Sequence, residues 1–168
     1  DQDELGIINY EVTPLNRDAE IVFSPYLDGG ITNEDSNWDD KFWETISVDE
    51  ADHQAFIRSM TMKTEFHICT YMQSEVYLDN SKATPEYSAD RKDQYVQLNY
   101  NISVKQGETA TLQKYAGYTV SHNHAPDALI DAAKAALQKG INTGYEKLKQ
   151  SQSEAWESIW DMADISIE

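Results

Sequence analysis

What this chain has little of narrows its class before any motif is read. It holds one cysteine in 168 residues, so no intrachain disulfide can form and zinc sites built on several thiolates are excluded. Basic side chains number 13 against 30 acidic ones, a formal net charge of −17. Nucleic-acid phosphates need clustered Lys and Arg, and anionic membrane surfaces are disfavoured for the same reason, so the balance argues against both partners. No apolar run approaches the roughly 20 residues that span a bilayer. The amino terminus, Asp1-Gln2-Asp3-Glu4, has no initiator Met, basic region or apolar signal core, and reads as a mature or excised piece. What is present argues for a folded domain: 40 % of residues are apolar and 11 % aromatic, a density that disordered acidic chains lack.

Alternation of apolar and polar residues predicts strands through the first two-thirds. They are expected over Gly6–Thr13, Ala19–Leu27, Ala55–Met62, Glu65–Leu78, Gln94–Val104 and Thr109–Val120, with Pro25 marking an edge or bulge. Val104 to Thr109 reads as a hairpin with Gly107 at a positive φ. Segments 28–54 and 79–93 read as polar loops. Beyond Val120 the period becomes helical. Pro126 fits a first helical position, Asp127 complements the helix N-terminus, and Gly140 fits a C-cap. A second helix is expected from near Thr143, where Thr143 and Glu146 have capping-box spacing. The fold class expected is mainly β: an antiparallel β-sandwich over residues 1–121, then two linker α-helices over 122–168.

Candidate sites are sparse. Nine carboxylates crowd residues 28–52 against one basic residue, Lys41, and Trp38, Phe42 and Trp43 interleave with them. Asn33, Asp35, Asn37, Asp39 and Glu44 fit loop positions 1, 3, 5, 7 and 12 of an EF-hand, but Trp38 stands where that loop requires glycine. A second reading is a sugar platform, with indole faces against pyranose rings and carboxylates accepting hydroxyls. The third and favoured reading is a structured loop whose aromatics pack on a neighbouring domain. Cys69, in an apolar-leaning run, reads as a small buried hydrophobe rather than a reactive thiol. No nucleophile elbow or phosphate-binding Gly loop is found, and His122 and His124 are too few for a metal site alone, so they read as loop or interface histidines. Asn101-Ile102-Ser103 is a formal glycosylation sequon inside an expected strand. Trp156 and Trp160, at i and i+4, read as one packing face of the second helix.

Three motifs then occur in a recognisable order: Tyr10-Glu11-Val12-Thr13-Pro14-Leu15-Asn16, Ser24-Pro25-Tyr26-Leu27-Asp28-Gly29, and Thr32-Asn33-Glu34-Asp35-Ser36-Asn37-Trp38-Asp39-Asp40-Lys41-Phe42-Trp43. Together with Ser153 to Trp160 and Asp164-Ile165, they resemble the amino-terminal region and linker helix of the maltose phosphorylase family, glycoside hydrolase family 65. Two positions depart from it: Trp38 replaces a common tyrosine and Gly30 a frequent acidic residue. Residues 50–120 match only in strand pattern. The resemblance implies a large β-sandwich, a helical linker and an (α/α)6 barrel beyond Glu168 that holds the active site. It implies an inverting, cytoplasmic, homodimeric enzyme acting on α-glucosyl disaccharides such as maltose, kojibiose, nigerose or trehalose, with inorganic phosphate as co-substrate in the phosphorylases. No catalytic residue, metal or cofactor is then expected in this chain itself. Asn33, Glu34, Asp35, Trp38, Phe42 and Trp43 would contact the barrel, a dimer partner or sugar, while Trp156 and Trp160 pack the linker. The alternatives are a free-standing carbohydrate-binding module using Trp38 and Trp43, and a calcium-binding module.

Overall fold

A computed structural model describes residues 3–32 and 41–163. The alternation read from the sequence becomes two facing antiparallel sheets. The larger has the order β1 (Leu5–Val12), β10 (Ala110–Val120), β6 (His67–Leu78), β5 (Gln54–Thr61), β4 (Trp43–Ala51), with the short β7 (Ser81–Lys82) extending the end of β6. The smaller is organised on β9 (Tyr95–Val104): β2 (Ala19–Phe23) and β3 (Tyr26–Asp28) pair along one side and β8 (Glu86–Lys92) along the other. The single strand expected over Ala19–Leu27 is thus two. Pro25 cannot donate to a ladder, and its carbonyl accepts instead from Leu98 N at 2.9 Å.

Both segments read as loops contain strands. In β4 a register shift between Thr45 and Ser47 slips the alternation, and its acidic residues mask the rest. In β8 only Tyr87 and Ala89 pack against the core, as expected of an edge. Gly107 does take φ +85° in the β9–β10 hairpin.

Every second residue of β9, from Val96 through Leu98, Tyr100 and Ile102 to Val104, points inward. These meet Phe23 and Leu27 from their own sheet, and Ala55, Ile57, Met72, Val76, Ala110 and Leu112 from the facing one. The central strand β6 is buried on both faces. Its Cys69 and Tyr71, with Phe56 and Tyr115, form a second core beneath Leu129, Ala133 and Leu137 of α1 (Leu129–Thr143). Cys69 is therefore the buried hydrophobe expected, and desolvation pushes its thiol up to about 11.

Helix boundaries differ from expectation. Pro126 lies in a turn, and α1 starts only at Leu129. Gly140 is interior, where a Cβ would come within 2.3 Å of Leu5 Cδ2; it lets the helix approach β1. The chain turns at Gly144 instead, with φ +81° and its N–H donating to the Gly140 carbonyl at 3.0 Å. Thr143 is likewise the last residue of α1, and its hydroxyl donates back to the Lys139 carbonyl at 2.8 Å rather than capping the next helix. α2 (Tyr145–Ala163) follows and buries none of its residues. Among the described residues no helix is long and apolar enough to cross a membrane.

Candidate functional site

The acidic segment is not one loop. Asp28 ends β3, Glu44, Asp49 and Glu50 lie on β4, and Asp52 sits in the β4–β5 turn at φ +52°. Asn33, Glu34, Asp35 and Trp38 lie outside the described residues, as do Asn37 and Asp39 of the EF-hand count. Among the described residues no three His, Cys, Asp or Glu side chains gather as metal ligands would. The two ends of the intervening segment converge on Gln94. Its carbonyl accepts from Gly29 N at 2.7 Å, its side-chain oxygen from Lys41 Nζ at 3.2 Å, and its amide donates to Thr45 Oγ1 at 3.4 Å. Asp28 closes its own turn by accepting from Gly30 N at 2.8 Å.

Beside that base, Phe42 is 42 % exposed and its carbonyl accepts from Met62 N. Trp43 is half-buried and meets Phe66 edge-on, ring centroids 6.5 Å apart. Among the described residues the only aromatic partner of Trp156 is Trp160: their rings stack at 6.2 Å and they are 48 % and 59 % exposed. Ile159 and Met162 of the same helix are also exposed. A 19-residue helix with no buried side chain has no packing reason to carry four large apolar groups of its own. His124 Nε2 meets the Glu4 carboxylate at 2.9 Å, tying the turn before α1 to the start of β1.

Two arrangements escape sequence reading. His53, at φ +64°, lays its ring 4.1 Å from Tyr87, whose hydroxyl donates to Glu50; burial and that carboxylate push the Tyr87 phenol well up. The second is the outward row of β9: Tyr95, Gln97, Asn99, Asn101 and Ser103. Polar alternation there looks like any solvated sheet face, and only the geometry shows the groups linked to one another. Tyr95 OH donates to Gln97 Oε1 at 2.6 Å, Gln97 Nε2 to Asn99 Oδ1 at 2.7 Å, and Asn99 Nδ2 to Asp90 Oδ2 at 3.0 Å.

The model of the glycosyl hydrolase family 65 N-terminal domain matches residues 1–159. The chain belongs to that family. The maltose phosphorylase of Bacillus subtilis (strain 168) is 29 % identical over 164 residues, covering 98 % of this chain and 21 % of that protein. The alpha,alpha-trehalose phosphorylase of Thermoanaerobacter brockii is 26 % identical over 172 residues, covering 98 % and 22 %. A solved structure described as a putative kojibiose phosphorylase from human microbiome superposes with a TM-score of 0.78 at 15 % identity, covering 95 % of this chain and 20 % of that one. This last likeness concerns the fold alone. The chain spans about a fifth of the length of the curated relatives it matches. The family resemblance carried by the three amino-terminal motifs is thereby confirmed.

Proposed function

We propose that this family 65 N-terminal domain is the non-catalytic part of an inverting enzyme that phosphorolyses or hydrolyses α-glucosyl disaccharides such as maltose. In this reading residues 1–121 form part of the sandwich and 122–168 the linker to an (α/α)6 barrel, which supplies the catalytic acid and, in a phosphorylase, the site for inorganic phosphate. Inversion needs space between acid and nucleophile, which the barrel provides. The domain scaffolds the barrel and a cytoplasmic homodimer. Its contact surface comprises Phe42, Trp43 and the segment carrying Asn33, Glu34, Asp35 and Trp38, with Trp156 and Trp160 packing along the linker.

The observation that carries the reading is the stacked, exposed Trp156–Trp160 pair on a helix with no fully buried residue, whose Leu148 alone reaches the second core. Large apolar groups left in contiguous contact with water mark a partner surface. The test is to express the complete open reading frame that encodes this chain and assay maltose, kojibiose and trehalose with and without phosphate. Release of glucose 1-phosphate or glucose by the complete protein, and none by residues 1–168, is expected. A reading frame that ends at Glu168, or turnover by this chain alone, overturns the proposal.

A further inference from the structure

The outward face of the smaller sheet is unusual for so acidic a protein: its central row carries no charge at all. Tyr95, Gln97, Asn99, Asn101 and Ser103 stand along β9, with Tyr26 and Asp90 directly beside Gln97 and with Asp28 and Lys92 beside Tyr95. The amides are held in set orientations. Gln97 accepts from Tyr95 OH and donates to Asn99; Asn99 Oδ1 accepts a second bond from Ser24 Oγ at 2.8 Å, and its nitrogen donates to Asp90. Each of these amide nitrogens keeps one N–H free, and Gln97 Oε1 keeps a lone pair. Among the described residues Asn101 Oδ1, buried from water, has no hydrogen-bond partner. Next to the amides, Tyr26 and Tyr95 stack at 5.4 Å and 25°, and Tyr26 is 54 % exposed. A hollow of about 460 Å³ opens between Asp90, Arg91, Lys92, Tyr95 and Gln97.

We propose that this face binds a neutral glycan chain, at a site separate from any catalytic centre in a barrel. An amide presents a donor and an acceptor side by side, which matches adjacent hydroxyls on a pyranose. The tyrosine pair, with Lys92 5.9 Å from the Tyr95 centroid and Lys114 6.0 Å from that of Tyr26, offers the aromatic surface those lysines leave open to the sugar's C–H face. The ligand is uncharged because the row itself carries no charge and its rim is mixed: Glu20, Asp28, Glu86 and Asp90 stand against Arg91, Lys92 and, over Tyr26, Lys114. A protein partner is the poorer occupant. Interface centres are apolar, whereas Val22 and Tyr26 are the only large apolar groups that β2, β3 and β8 expose here. The existing hydrogen bonds fix the amides before a ligand arrives, which lowers the ordering cost of binding. The inference goes beyond the proposed function and survives its failure, since it requires neither a barrel nor turnover.

The test is titration of the 168-residue chain with unsulfated hexasaccharides of α-1,4- and β-1,4-linked glucose, read by calorimetry and by the side-chain amide resonances of Gln97 and Asn99. A sulfated hexasaccharide is the charged control. Binding with a dissociation constant on the order of 1 mM is expected for one or both neutral glycans, with the amide resonances shifting. Tyr95→Ala should weaken it about tenfold and Gln97→Ala about fivefold. Both side chains face solvent, and circular dichroism confirms folding; Val22→Thr, at the far end of the face, serves as a variant that keeps affinity. No binding at about 10 mM, affinity unchanged in Tyr95→Ala and Gln97→Ala, preference for the sulfated control, or a face occluded by self-association in sedimentation overturns the proposal.

Discussion

Gly117 lies between Leu5 on β1 and Tyr71 on β6, and the Glu4 carbonyl folds over it to accept from the Tyr71 hydroxyl. A Cβ added there would sit 1.8 Å from that carbonyl oxygen and 2.8 Å from the Tyr71 hydroxyl. The obstacle is backbone, so Gly117→Ala must push the start of β1 away. It thereby strands a buried phenol, at about 1–3 kcal/mol, and adds overpacking strain of about 1–3 kcal/mol. The usual gain from replacing glycine, about 0.4–1 kcal/mol, works in the opposite direction. The net loss should be about 2–4 kcal/mol, a fall in Tm of about 4–16 °C for a domain of this size. Gly107→Ala is the control: nothing lies within 4 Å of its Cβ position, so the +85° φ alone should cost about 1–2 kcal/mol.

Urea melts of Gly117→Ala, Tyr71→Phe and the double variant measure this. Once the phenol is gone, the alanine has one less bond to break, so the two losses should fall short of additivity by about 1 kcal/mol. Displacing Glu4 also loosens its carboxylate from His124 Nε2, so amide exchange should rise at residues 121–124 in the alanine variant. A Gly117→Ala melt within about 0.5 kcal/mol of the parent, or strict additivity, refutes the reasoning.

Cys69 should resist thiol reagents at pH 8 in the native chain and react fully in urea, since burial holds its thiol at about 11 against an ordinary 9.0. Because the folded value is the higher one, the Cys69 contribution to stability is complete below pH 9 and is lost as pH rises to about 11. The stability difference between the parent and Cys69→Ala should therefore shrink over that window, and a constant difference counts against burial as the cause. Asn80→Gly should gain about 0.5–1 kcal/mol by chemical melting, because Asn80 holds φ +64° in the β6–β7 turn; a loss would show that its side chain matters. Trp156→Ala and Trp160→Ala should each stay within about 0.5 kcal/mol of the parent in this chain, and both indoles should be open to acrylamide, since neither is buried. Protection from the quencher would show that the pair packs without a partner.

Much of the fold was legible because burial on one face of a strand writes itself as alternation. Val96, Leu98, Tyr100, Ile102 and Val104 announce β9, and Gly107 its hairpin. Some failures depend on distances between segments far apart in sequence, others on local breaks in the alternation. Gly140 and Gly144 differ in role only because Leu5 approaches the first, and nothing local encodes that approach. The strand at Trp43–Ala51 was hidden by a bulge and by solvent-facing acids, and the edge at Glu86–Lys92 buries too little to show a period.

Folding also gives the acidity of the chain a different role. Crowding in sequence pointed to one acidic loop, but among the described residues Glu44, Asp49 and Glu50 lie along β4, and there and elsewhere in the chain carboxylates accept from neutral donors. Ser103 donates to Glu20 at 2.5 Å, Ser47 to Asp49 at 2.9 Å, Tyr77 to Glu75 at 2.9 Å, and Asn99 to Asp90. Charge-assisted bonds of this kind are stronger than neutral ones, so each acid orients a hydroxyl or amide beside it. On the outward face of the smaller sheet, that fixes where the donors of Gln97 and Asn99 point. The acids there act as a frame for uncharged groups, and it is the uncharged groups that should meet a ligand.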